Sequence, residues 1–312
     1  MQVFTTINEV KNCLISFKKE GKTIGFVPTM GALHRGHISL LERAKKENDV
    51  CVASIFVNPL QFNDKKDLEK YPKTLEKDSK MLKSAHCDVL FAPSSEEIYP
   101  PSPFHPLSDS QETEKGRKGE SERSPLKFDL GNLDKIMEGK YRPGHFQGVC
   151  VVVKKLFDII EPTKAYFGEK DFQQLAIIKH MVKELKIPVE IISCPTFREA
   201  DGLAMSSRNT LLTKEERKNA SLIFKTLQEV KEKTSPPTPL LKTGEGRMNI
   251  ASIKQWAKEK INKNPFLKLE YLEIVNSETL ELITDIRLPT LNLRACIAVK
   301  AGAVRLIDNI AL

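Results

Sequence analysis

Short apolar, β-branched runs alternate along this chain with longer segments of helical period, and that alternation restricts its fold more than any other feature. Strands joined through helices pair in parallel, so the pattern calls for a parallel sheet covered by crossover helices. The runs are Thr23–Met30, Val50–Val57, Asp88–Ala92, Ala165–Phe167 and Val189–Ser193. Helical segments are expected from the turn after Met30 to about Asn48, and over Asp67–His86, Gln147–Ile160 and Asp171–Lys186. The expected fold class is α/β, a Rossmann-like doubly wound parallel sheet. Past Arg208 the texture changes. Thr213 and Glu216 read as a capping box opening a helix towards Lys233, a second helix lies near Ile253–Ile261, and strand-like stretches follow at Leu269–Val275 and Ala295–Lys300. Two domains are therefore expected, 1–195 and a smaller C-terminal α+β lid domain over 196–312.

Composition removes several classes of function. With 312 residues and 40% hydrophobic content, the chain can bury a core in each domain. Asn8, Glu9, Lys11 and Asn12 interrupt the N-terminal stretch before it reaches the length of a signal or a membrane span, so a cytoplasmic protein without a membrane partner is expected. The six cysteines stand singly, without a C-x-x-C pair, and read as reduced structural thiols. The net charge of +8 is spread among Glu and Asp on helical segments. Such a surface attracts small anions and argues against a nucleic-acid partner. Two segments, about 100–127 and 235–247, are rich in Pro, Ser, Gly and charge and read as tolerated low-complexity insertions at the surface.

The chemistry concentrates where strands meet helices. Met30, Gly31, Ala32, Leu33, His34, Arg35, Gly36 and His37 join a buried run to a helix through a glycine turn. Free N–H groups at such a helix start, with the macrodipole behind them, predict an anion site suited to polyphosphate. His34 and His37 are three apart, so both face one way and can donate to phosphate oxygens. A zinc pair is disfavoured because no third ligand stands at a local spacing. Gln61 follows the second strand at its carboxyl end, where open α/β sheets bind ligands. Gly168, Glu169, Lys170 and Asp171 again lead from a strand into a helix, placing an ammonium within reach of phosphate and a carboxylate where it would cap the helix. Met205, Ser206, Ser207 and Arg208 offer two hydroxyls and a guanidinium in succession.

The H-x-G-H element is followed in order by Phe56–Phe62, Tyr71–Thr74, Arg142–Phe146, Phe167–Gln174, Asp201–Asn209 and Arg305–Asn309. This series resembles the pantothenate synthetase family, within the nucleotidyltransferase superfamily that carries an H-x-G-H signature, over nearly the whole chain outside the two insertions. The resemblance implies an ATP-dependent ligase that joins pantoate to β-alanine through pantoyl adenylate, yielding pantothenate, AMP and pyrophosphate for coenzyme A biosynthesis. It implies catalytic roles for His34, His37, Lys170 and Arg208. ATP contacts are implied for Met30 through His37, Gly168 through Asp171, Phe197, and Met205 through Arg208. Asn58, Gln61 and Gln174 are implied to hold pantoate or β-alanine. Mg²⁺ is expected with ATP, and Asp78 is the candidate metal ligand, although Lys77 stands where some relatives have an acidic residue. A homodimer through the larger domain is also implied. Two other readings are weighed on the residues alone: a nucleotidyltransferase acting on a phosphorylated acceptor, or a synthetase fragment charging tRNA; and a catalytically dead nucleotide-binding or scaffolding module.

Overall fold

The structure, a computed structural model, describes residues 1–62, 68–69, 71–100, 127–234, 249–284 and 292–312. The expected insertion at 235–247 lies outside them, as does the one at 100–127 except for its two end residues, and part of the segment expected to begin a helix at Asp67.

The N-terminal part runs β1 (Gln2–Phe4), α1 (Ile7–Lys19), β2 (Ile24–Thr29), α2 (Arg35–Glu47), β3 (Val50–Ile55), α3 (Leu75–Ser84), β4 (Val89–Phe91) and α4 (Ser95–Ile98). It continues through α5 (Met137–Tyr141), α6 (His145–Ile160), β5 (Lys164–Gly168), α7 (Phe172–Glu184) and β6 (Glu190–Cys194). All six strands are parallel, in the order β1-β4-β3-β2-β5-β6. Successive side chains of a strand point to opposite faces, and the sequence exploits this. Ile24, Phe26, Val50, Val52 and Phe91 pack under α1, α6 and α7, whereas Val27, Cys51, Ala53 and Leu90 pack under α2 with Leu41 and Ala44. Phe26 has no exposed surface and meets Phe157 edge to face at 6.4 Å.

The strand order changes direction between β2 and β5. From β2 the chain crosses to β3 on one side, and from β5 it crosses to β6 on the other. The loops after β2 and β5 therefore part from each other at their carboxyl ends and leave a crevice. Both sequence segments expected to hold phosphate, Met30–His37 and Gly168–Asp171, open at that crevice.

Beyond residue 196 a β-bridge between Arg198 and Ala204 folds the chain back on itself around Gly202, whose φ of +90° suits glycine. Then come α8 (Lys214–Ala220), α9 (Leu222–Thr234), α10 (Ile250–Asn262), β7 (Leu267–Asn276), β8 (Leu293–Ala301) and β9 (Val304–Ala311). The capping box is present: Glu216 N donates to Thr213 Oγ1 and Thr213 N donates to Glu216 Oε2. The helix expected to run on to Lys233 is divided at Ser221 into α8 and α9. β7, β8 and β9 form an antiparallel sheet, one strand more than expected. One face of this sheet packs on α9 and α10 through Ile223, Leu227, Ile253 and Ile261, and the other presents Tyr271, Cys296 and Ala298 to Met137 of α5. That second face closes one side of the crevice.

These two cores make a stability prediction. Phe26→Ala should lower unfolding free energy by about 3–5 kcal/mol. Thr213→Ala, at an exposed cap, should cost about 1 kcal/mol. Urea unfolding monitored by circular dichroism measures both, and equal losses would contradict the packing described.

Candidate active site

The turn after β2 is built on left-handed backbone, Gly31 at φ +80° and Ala32 at φ +50°. Asp78 of α3 holds it in place. Its Oδ2 accepts from Ala32 N at 2.9 Å and from Thr74 Oγ1 at 3.0 Å, and its Oδ1 accepts from Leu33 N at 2.8 Å. Gly31 N donates to Thr29 Oγ1 at 3.2 Å, and that hydroxyl donates to Ser54 O at 2.7 Å. Asp78 is 1% exposed, and both its oxygens serve the turn. Among the described residues no group of three or more His, Cys, Asp or Glu is arranged to hold a metal ion.

The start of α2 is capped by imidazoles. Gly36 N donates to His34 Nδ1 at 3.1 Å, and His34 N donates to His37 Nδ1 at 3.3 Å. The amides of Gly31 to His34, and that of Gly36, thus all have acceptors inside the protein. The cradle of free amides expected from the sequence is corrected on this point, because the side chains have taken up those N–H groups. What the turn offers a ligand instead follows from the caps. A backbone N–H only donates, so Nδ1 of each histidine is an acceptor and the ring proton of each neutral imidazole sits on Nε2. The two rings lie 4.0 Å apart. Burial, and then the Lys170 ammonium, push His34 down to about 4. Burial, His34 and Lys170 push His37 down to about 3. Both rings are therefore neutral Nε2–H donors near pH 7.

Lys170 comes from a single 3-10 turn, Glu169–Asp171, between β5 and α7. Its Nζ lies 3.7 Å from Asp171 Oδ1. Asp171 occupies the N-cap position of α7 but makes no side-chain capping bond, so the capping role expected for it is corrected. Across the crevice, Met205 N donates to Phe197 O at 2.9 Å, fastening the 197–205 turn beneath Ser206. Ser206 Oγ accepts from Arg208 N at 3.3 Å and caps the short turn that carries Ser207 and Arg208.

A cleft of about 270 Å³ brings these groups together. Met30, His34, Gly36, His37, Gly168, Lys170, Asp171, Phe197, Met205 through Arg208, Gln61 and Gln174 all line it. Gly31, Ala32, Leu33 and Glu169 lie behind this surface as the framework of its loops. Arg35 points away, pairing with Glu42 at 3.1 Å with its guanidinium 6.0 Å from the Phe197 ring. Asn58 is also set back, at 1% exposure. It donates to Gln61 Oε1 at 3.3 Å and Gly148 O at 3.0 Å, and accepts from Tyr99 OH at 2.9 Å, so it supports Gln61 from behind.

Among the cleft residues to which sequence reasoning gave no role are His145, Arg142 and Tyr71. His145 donates from Nδ1 to Gln61 O at 2.7 Å and accepts at Nε2 from Arg142 Nη1 at 3.0 Å, since a carbonyl only accepts and a guanidinium only donates. Burial, and then Arg142, hold it down at about 4. Tyr71 is buried against Ser207 and Arg208, and burial pushes its phenol up while a hydrogen bond with Ser207 opposes that shift. The segments Arg142–Phe146 and Tyr71–Thr74 stood out in sequence, yet partners so far along the chain are set only by the fold.

The histidine shifts give a pH prediction. From pH 6.5 down to about 3, His34 and His37 bind fewer protons folded than unfolded. Stability is therefore full above the unfolded value and is lost as pH falls through that window. Thermal melts should show this acid loss, and a His34→Asn/His37→Asn variant should show a shallower one. Identical slopes would contradict neutral imidazoles.

Comparison with known proteins shows the family. The family model for pantoate-beta-alanine ligase matches residues 2–311. A pantothenate synthetase from Porphyromonas gingivalis is 47% identical over 99% of both chains, and one from Cytophaga hutchinsonii is 44% identical over 99% of this chain and 98% of its own. The crystal structure of pantothenate synthetase from Thermus thermophilus superposes with a TM-score of 0.82 at 39% identity, covering 99% of both chains. A pantoate-beta-alanine ligase from Francisella tularensis, complexed with beta-gamma ATP and beta-alanine, superposes with a TM-score of 0.73 at 37% identity, covering 100% of this chain and 97% of its own. The chain belongs to the pantoate-beta-alanine ligase family.

Proposed function

We infer that the cleft carries out its family's reaction in two steps, with His34, His37 and Lys170 on the phosphates of ATP and with Gln61 and Gln174 on pantoate. The chain is an ATP-dependent, AMP-forming ligase that condenses pantoate with β-alanine. In the first step a pantoate carboxylate oxygen attacks the α-phosphorus, the α–β phosphoanhydride bond breaks, and pyrophosphate leaves with the bonding electrons. No protein nucleophile is needed, so catalysis reduces to positioning and to stabilising charge on the phosphates. In the second step the β-alanine amine attacks the acyl carbon, the acyl–oxygen bond breaks, AMP leaves, and the nitrogen loses a proton.

The observation that carries this reading is the pair of neutral Nε2–H imidazoles facing the same cleft as Lys170 and Ser206–Arg208. Neutral donors hold a polyanion without like-charge repulsion from Lys170, and they are fixed before substrate arrives. The F. tularensis relative, complexed with beta-gamma ATP and beta-alanine, supports the choice of ATP and β-alanine as occupants. Asp78 spends its oxygens on the turn, so the described residues do not fit a resident metal, and we take Mg²⁺ to enter as the counter-ion of ATP. No described helix is long and apolar enough to cross a membrane. We further propose a cytoplasmic homodimer, with 1–195 as the nucleotide- and pantoate-binding domain and 196–312 as the lid; sedimentation tests the dimer.

Exchange of labelled pyrophosphate into ATP should require pantoate and not β-alanine. His37→Ala should slow it by about 10²–10³-fold while the protein stays folded. A folded, fully active variant would remove His37 from the mechanism. The wall behind Gln61 gives a second test. A Cβ on Gly148 would lie 2.3 Å from Leu60 O and 2.9 Å from Gln61 Cα. Gly148→Ala should therefore displace Gln61 and raise the pantoate KM by about tenfold, the effect of some 1.4 kcal/mol. An unchanged KM would contradict the role of Gln61.

A further inference from the structure

Strand β9 brings two buried polar side chains, Asp308 and Asn309, to the wall of the cleft at 4% and 3% exposure. Asn309 Nδ2 donates to Glu169 O at 2.8 Å and to Lys170 O at 3.0 Å. Its Oδ1 accepts from Arg294 Nη1 at 2.6 Å. Arg294 also contacts Glu169 Oε2 at 3.3 Å and lies 4.3 Å over the Phe172 ring. One amide thus grips the backbone on both sides of the Lys170 N–H, and its orientation is fixed because Arg294 can only donate and the two carbonyls can only accept.

Asp308 holds the opposite side of the cleft. Its carboxylate takes both arms of Arg198, at 2.6 and 3.0 Å. Arg198 in turn donates to Gly202 O at 3.0 Å and stacks 3.7 Å over Phe224. Arg198 belongs to the turn whose Phe197 and Met205 are hydrogen-bonded to each other directly ahead of Ser206. Consecutive residues of a single strand therefore fasten both phosphate-facing loops, and Asn309 N donates to Asp308 Oδ1 at 2.8 Å to tie the two anchors together.

We propose that Asn309 is a positioning residue for Lys170, and that with Asp308 it sets the distance between the lysine loop and the Ser206–Arg208 turn. Neither side chain needs to touch ATP to act in this way. The 3-10 turn that carries Lys170 has no capping side chain of its own, and Asp171 supplies none; from the C-terminal sheet, Arg294 holds the Glu169 side chain and Asn309 holds the backbone on either side of Lys170. Misplacing a catalytic group by about 1 Å costs on the order of 10²-fold in rate. The inference rests on the placement of Lys170 against the triphosphate given above.

A double-mutant cycle tests it, read by pantoate-dependent pyrophosphate exchange in the full-length enzyme. Asn309→Ala should slow exchange by about 10²-fold. Lys170→Ala should slow it by about 10²–10³-fold. The double variant should be no slower than Lys170→Ala alone, because Asn309 acts through the lysine; a merely structural role would multiply the two losses. Asn309→Asp keeps the size and the contact with Arg294 but cannot donate to the two carbonyls, and it serves the same cycle if the alanine variant fails to fold. Multiplied losses, or undiminished exchange in the Asn309 variants, would overturn the positioning role alone. Undiminished exchange in Lys170→Ala would overturn the placement of Lys170, and the positioning role with it.

Discussion

The active cleft depends on one exchange of hydrogen bonds at the start of α2. Two imidazole Nδ1 atoms accept the amides of His34 and Gly36. A helix start ordinarily leaves such amides for solvent, a capping hydroxyl or a bound anion. Here the rings have taken that place, and in doing so they fix their own chemistry. Each ring must remain unprotonated at Nδ1 to keep its cap, so each carries its single N–H on Nε2. Burial and the nearby Lys170 ammonium act in the same sense and keep both rings neutral. The helix cap and the ligand-facing donor are thus two ends of one side chain, and neither can change protonation without the other.

The sheet topology turns this local device into a site. Because the strand order reverses between β2 and β5, the capped turn and the lysine turn face each other across a crevice instead of lying on opposite rims. The three-stranded sheet then closes one side. Its outer face supplies Tyr271 and Cys296 to the cleft wall, and β9 holds both phosphate-facing loops. Deeper in, α6 approaches the turn bearing Gln61 so closely that only a glycine fits at 148. His145 from the same helix reaches the carbonyl of Gln61, so one helix sets the height and direction of that amide.

Much of this was legible in the sequence because it is local. The alternation of apolar runs with helical segments prescribed the parallel sheet, Thr213 and Glu216 announced their capping box, and His34 and His37 could be placed on one face by spacing alone. What escaped the sequence depends on rotamers or on partners far along the chain. The amides after Gly31 read as an anion cradle because nothing local says that Asp78 and two imidazoles claim them. Asp171 looked like a helix cap, yet its side chain makes no such bond. Asn58 looked like a substrate ligand, but it stands one layer behind Gln61. The third strand of the C-terminal sheet was missed although Gly302, at φ +57°, marks the tight turn before it. Its two anchors pair with residues more than a hundred positions away, which no periodicity reveals.

The most direct measurement is a crystal structure of this enzyme with a non-hydrolysable ATP analogue and pantoate. Nε2 of His34, Nε2 of His37 and Nζ of Lys170 should lie within about 3 Å of oxygens on one triphosphate. Both Nδ1 atoms should still accept from the amides at the start of α2. A triphosphate bound to those amides with the rings swung aside, or bound outside this cleft, would contradict it.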